Sequence, residues 1–249
     1  MNFANQLNLI SVKIEIYRFY KGKTSKIGSY TGIAGQTIEV VDFTDAGLYL
    51  LALKGFDNKA EFLYNPLEKM VLVVDMQHLS NGEVVIEHSP ENQCYADLIR
   101  INTIYDAAID SLYLLRKSLP VTLPDYYTRS RTIDSLFVVY AREKNGRLTY
   151  LQFNYPQTYT VTHLLPYGLY PLSSPEEKQK FQTPYAYIYY NYFKYVTPGM
   201  GLLRHYGFDD YLLRYFSGYT EPDEAGIKTS YEYLVYLKSF KHHLLKLQT

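Results

Sequence analysis

The sequence predicts an α+β protein: an N-terminal antiparallel β unit, sandwich- or barrel-like, then a long central helix, a β-hairpin and a tyrosine-rich, mainly helical C-terminal part. Three observations predict it. Residues 9–20 alternate, with Val12, Ile14 and Ile16 on one face and Lys13 and Glu15 on the other, the period of a half-buried strand. Residues 89–119 set Cys94, Leu98, Ile101, Tyr105, Ala108, Leu112, Leu115 and Leu119 at alternating steps of four and three, which is one stripe of a helix. Residues 133–155 are apolar on both sides of Asn145-Gly146, a dipeptide suited to a two-residue hairpin turn.

The β unit takes in residues 1–88. After the first strand comes the turn KGKTSK (21–26), then a second strand over 26–34. Two further strands are expected at 36–43 and 48–54, separated by Asp45-Ala46-Gly47, with a loop over 55–66. An apolar strand over 69–79 returns through Asn81-Gly82 as 83–88. That turn would set Asp75 opposite His88, a pair able to orient an imidazole for acid–base work and equally able to be a surface contact.

The central helix spans 89–119. Ser89 suits the N-cap and Pro90 the first helical position. Asp97, Asp106 and Asp110 face away from the stripe, Arg116 and Lys117 complement the dipole in the last turn, and Pro120 and Pro124 prevent continuation.

Residues 120–165 are a connector and the hairpin 133–155. Folded about Asn145-Gly146, the hairpin pairs Leu136 with Tyr155, Val138 with Phe153 and Tyr140 with Leu151 on one apolar face. A one-residue slip would destroy the match. A third strand is expected over 158–164.

In residues 166–249, Ser174-Pro175 marks a helix start. The tyrosine-dense segment 184–196 reads as a helix apolar on most sides, ended by Pro198-Gly199. A short helix is expected over 209–216. A last one begins at the capping box of Thr229 and Glu232 and carries Tyr233, Leu237, Phe240, Leu244 and Leu247 as its stripe.

Composition narrows function. The 249 residues suffice for one large domain or two small ones. Lys and Arg balance Asp and Glu at 25 each, so no global field recruits nucleic acid or membrane. One cysteine excludes a disulfide framework and a cysteine-based zinc site. The first residues, MNFANQLNLISVKIE, lack the pattern of a signal peptide, and no window approaches the apolar length of a membrane span. The chain is expected to be soluble and intracellular, or made inside a cell and assembled there.

Local chemistry is sparse. No histidine pair has the helical spacing of a zinc protease, Cys94 sits on the buried stripe, and no glycine-rich phosphate loop precedes a helix. KGKTSK joins two antiparallel strands, so it lacks the geometry of a Walker loop. Asp209-Asp210 and Glu221, Asp223 and Glu224 read as caps and solvated turns. Arg129, Arg131, Arg142, Lys144 and Arg147, among Tyr126, Tyr127 and Tyr150, would allow incidental contact with nucleic acid or form a solvated hairpin tip. No catalytic residue, cofactor or metal site is expected.

There are 29 tyrosines and no tryptophan. Tyrosine is enriched where a partner half-buries a surface, and it also lines core boundaries. Candidate interface residues are Tyr140, Lys144, Arg147 and Tyr150 in the hairpin, Tyr185, Tyr187, Tyr189, Tyr190, Tyr192 and Tyr195 in the dense segment, and Tyr211 and Tyr215 beyond it. In its tyrosine-rich segment YAYIYYNYFKY (185–195) and its hairpin-plus-long-helix plan, the chain resembles virion structural proteins of tailed bacteriophages, subunits of head–tail and tail rings. The resemblance rests on composition and covers the chain loosely, without a specific motif. It implies a non-catalytic assembly subunit that partners itself as a homo-oligomer, a ring included, and other assembly proteins. The alternatives are an enzyme or a carbohydrate- or peptide-binding protein with a dispersed site near the tyrosine-rich region, and an intracellular adaptor.

Overall fold

A computed structural model describes residues 11–20, 23–33, 43–55, 57–74, 79, 81–172, 184 and 187. The class is α+β, with antiparallel sheets followed by two long helices. The chain divides into two compact units, Met1–Asn92 and Gln93–Thr249.

In the first unit, β1 (Ser11–Tyr20), β2 (Lys23–Ile33), β3 (Gly47–Leu53) and β4 (Lys59–Tyr64) form an antiparallel sheet in the order β2-β1-β3-β4. The alternation of β1 sets its register. Ile14 lies opposite Tyr30 on one side and Leu53 on the other, and Ile16 lies opposite Leu51. One face therefore gathers Ile16, Tyr49, Leu51, Leu53, Ala60 and Phe62 into a core. A bulge after Ile16 leaves Ile27 as the extra residue of β2, and Ile27 packs against that same core. Phe43 stacks on Tyr64 at 4.8 Å between centroids and meets Tyr49 and Phe62 edge-on. All of β3, GLYLLAL, is buried, as its unbroken apolar run requires of a strand covered on both faces.

Residues 55–66 are not the expected loop, because they contain β4. Its Ala60 and Phe62 fit the core face, but Leu63 is buried as well, and this obscures the period of two. The strand predicted over 36–43 falls, apart from Phe43, outside the described residues. The return hairpin is also different. β5 (Val71–Val73) pairs with β6 (Val85–Glu87) with Val71 opposite Glu87. This register places His88 well away from the position opposite Asp75, which lies outside the described residues. The connection is longer than two residues: Leu79 is buried, and its carbonyl accepts from Gly82 N–H at 3.0 Å. His88 adopts a left-handed φ of 54° just before the first helix.

That helix, α1 (Pro90–Ser118), begins where its cap predicts. Ser89 Oγ accepts from Asn92 N–H at 3.1 Å, the Ser89 hydroxyl donates to Glu68, and the other Glu68 oxygen accepts from Glu91 N–H at 3.1 Å. A carboxylate here suits both the orphan N–H groups and the positive end of the dipole. Asn92 then turns its side-chain amide on β4, accepting from Leu63 N–H at 2.8 Å and donating to Leu63 C=O at 2.7 Å. Asn65 donates to the buried Glu91 at 2.9 Å.

In the second unit, the predicted hairpin is absent. Residues Tyr126–Asn154 form one continuous helix, α2, through Asn145-Gly146. Its buried residues are Ser130, Ile133, Phe137, Ala141, Lys144, Leu148 and Leu151, steps of three and four that belong to a helix and not to a strand. The apolar pattern fits both periods over short windows, and Lys144 interrupts the stripe chemically while occupying it geometrically. Residues 158–164 are not a strand either. Thr160–Leu164 is a π turn, in which Leu165 N–H bonds to Thr160 C=O, followed by a 3₁₀ turn over Leu165–Gly168.

Side chains pair along α1 and α2 in antiparallel order. Arg116 meets Asp134 near the connector, Asp106 meets Lys144 further on, and Cys94 accepts from the Thr158 hydroxyl just beyond α2. Ile109, Phe137, Ala141 and Tyr187 are the buried core between them. The α1 stripe is right at Cys94, Leu98 and Ile101, all buried. It then drifts to Ile109, and Leu115 is 51% exposed, because a straight helix of 3.6 residues per turn departs from a strict seven-residue repeat.

Candidate functional site

Among the described residues of the second unit, a polar cluster is built on Lys144. Its side chain is wholly buried on the inner face of α2. The ammonium donates to Asp106 Oδ1 on α1 at 2.6 Å, and the Tyr170 hydroxyl donates to the same oxygen at 2.7 Å. The Tyr170 ring lies 4.7 Å from the ammonium and packs edge-on to Phe137 at 6.2 Å. A buried lysine is tolerated only with a counter-charge and further polar contacts, and a carboxylate beside an aromatic face provides both. The adjacent Asn145 holds the same tyrosine by its backbone, donating to Tyr170 C=O at 2.7 Å and accepting from Tyr170 N–H at 2.9 Å. This cluster therefore ties three chain segments together.

The four-and-three stripe places Asp106 on the outward face of α1, but it pairs with the buried Lys144 because the buried stripe drifts past Tyr105 toward Ile109. The signal that could have found it was a lysine on the inner stripe of α2, which requires an acid across the helix pair.

Near the connector, Arg116 donates to the Tyr126 hydroxyl at 2.9 Å and lies 3.5 Å from Asp134. Burial pushes the Asp134 carboxyl above its usual range, against the pull of Arg116. In the first unit, hydrogen bonds from Lys26 and from Tyr17 hold the Glu15 carboxyl below its usual range.

The surface candidates separate. Tyr150 is 66% exposed and Arg147 is exposed, both on α2. Tyr140 is half-buried at the second core, while Lys144 and Tyr187 are buried. Lys144 therefore does not sit at a hairpin tip beside Arg147. Arg129 pairs with Asp125 at 2.6 Å, so the basic cluster read from the sequence is dispersed along a helix. Pro184 and Tyr187 of the expected helix 184–196 are both helical. Tyr185, Tyr189, Tyr190, Tyr192, Tyr195, Tyr211 and Tyr215 lie outside the described residues, as do the helices expected from 174, over 209–216 and from 229. His163 packs against Tyr159 at 4.9 Å between rings, while His205, Asp209 and Asp210 lie outside the described residues.

Among the described residues, Ile104, Leu114 and Leu115 of α1 and Leu136, Val139 and Phe153 of α2 are exposed large apolar side chains. No helix among the described residues is long and apolar enough to cross a membrane. No family model, curated protein or solved structure matches the chain.

Proposed function

We propose that this chain is a non-catalytic structural subunit of a multi-protein assembly, in character a bacteriophage virion component of the tail or head–tail connector. One observation carries the reading. The two long helices bury one face in the second unit and present large apolar side chains on the other, with Leu114 at 63%, Tyr150 at 66% and Phe153 at 83% exposure. Apolar surface of this kind costs free energy in water and is gained back when a partner covers it. Aromatic side chains are the most effective anchors for that purpose.

Light scattering of the purified chain across a concentration series tests it. The expected result is a mass well above 29.1 kDa or one that grows with concentration. A fixed monomer mass at high concentration, together with no mass increase when candidate assembly partners are added, contradicts it.

A further inference from the structure

The outer face of α2 carries a second stripe. Thr132, Leu136, Val139, Glu143, Gly146, Tyr150 and Phe153 follow one another at alternating steps of four and three, on the far side of the helix from Ile133, Phe137, Ala141, Lys144 and Leu148. Its large members are exposed: Leu136 41%, Val139 45%, Tyr150 66% and Phe153 83%. Four of its seven positions, two toward each end, carry large apolar side chains, and apolar residues at this spacing on a solvent-facing side suit a helix–helix seam.

The order of residues along this stripe selects the occupant. We propose that it pairs antiparallel, about a two-fold axis, with the same stripe of a second copy of this chain. Centred between Lys144 and Asn145, the pairing sets Leu136 against Phe153 of the second copy, Val139 against its Tyr150, and Glu143 against its Gly146. Large meets large at both ends, and the glycine lies at the middle, where the axes approach most closely. Nothing within 4 Å of a β-carbon built on Gly146 obstructs that approach. Helices packed in this way run about 8–10 Å apart.

Charge favours the same arrangement. Glu143 falls beside Arg147 of the second copy, and the two-fold axis makes this ion pair twice. A parallel pairing in register would instead place Glu143 against Glu143 in the seam, which is repulsive. It would also align Gly146 with Gly146, Phe153 with Phe153 and so on, leaving Arg147 without an acid opposite.

This proposal rests on the assembly reading, and its test separates the two. Leu136→Cys and Phe153→Cys variants of the full chain are purified apart, then treated with a short bismaleimide alone and mixed. The wild type serves as the control for the buried Cys94. The expected result is covalent dimer several-fold more abundant in the mixture than in either variant alone. Equal or greater cross-linking of each variant with itself, or no increase in the mixture, overturns the antiparallel seam. In parallel, Leu136→Glu with Phe153→Glu is weighed by light scattering, its circular dichroism being checked against the wild type; both sites are exposed, so the fold is retained. The seam predicts a shift to smaller mass. A wild type that oligomerises and a double variant of unchanged mass overturn the seam while the assembly reading stands. A monomeric wild type overturns the seam, and if it also gains no mass when candidate assembly partners are added it overturns the assembly reading as well.

Discussion

Asn145 and Tyr170 are joined twice: the side-chain amide of Asn145 donates to the backbone carbonyl of Tyr170 and accepts from its backbone N–H. Asn92 does the same to Leu63 in the first unit. In each case one side-chain amide satisfies both the N–H and the C=O of a single residue. Replacing Asn145 with Ala removes both of these hydrogen bonds, at a cost of about 1–3 kcal/mol. Asn145→Asp keeps an acceptor for the N–H but loses the donor to the carbonyl, so it also destabilises. Urea unfolding of the variants measures both. An Asn145→Ala variant as stable as the wild type would show that this double bond carries no stability.

The Lys144 cluster predicts an asymmetry. Asp106→Asn removes the carboxylate from a buried ammonium, while Lys144→Met removes the ammonium and leaves Asp106, the more accessible of the two, with the Tyr170 hydroxyl. Breaking a buried pair from one side costs about 3–5 kcal/mol. Asp106→Asn is expected near the top of that range and Lys144→Met below it, since methionine fills the space of the lysine stem and brings no charge. Denaturant midpoints of the two variants decide the order.

Asp134 predicts a pH dependence. Burial raises its folded-state pKa above the unfolded value, so between the two values the native state binds more protons than the unfolded chain. Stability from this group is therefore present at low pH and lost as pH rises from the ordinary aspartate range through the raised value. Relative to Asp134→Asn, which does not titrate, the wild type should melt at a lower temperature as pH rises through that window. A constant difference between the two melting curves from acid to neutral pH would contradict the assignment.

What the sequence made legible follows the strength of the local signal. The first strand and α1 were readable because Val12, Ile14 and Ile16, and Cys94, Leu98 and Ile101, each keep one period without interruption. The cap at Ser89-Pro90 was readable for the same local reason. β4 was missed because Leu63 is buried beside Phe62 and breaks the alternation. α2 was misread because Asn145-Gly146 is a turn dipeptide in isolation, and because Lys144 made a buried stripe look broken. Both residues are explained only by partners distant in sequence, Asp106 and Tyr170. The outer stripe of α2 became visible only after the helix was known, since hairpin geometry distributes Leu136, Val139, Tyr150 and Phe153 over two faces.

The continuity of α2 underlies both the assembly surface and the Lys144 cluster, and Gly146→Ala tests it most directly. In a helix interior with open space around the new methyl group, alanine is favoured over glycine by about 0.5–1 kcal/mol. At protein concentrations where the chain is monomeric, so that the new methyl group enters no helix seam, the variant is expected to unfold at higher denaturant than the wild type, with unchanged helical circular dichroism. A hairpin turn at Asn145-Gly146 would need the glycine in a left-handed conformation, and the same substitution would then destabilise the protein, which would contradict the helix and the functional reading built on it.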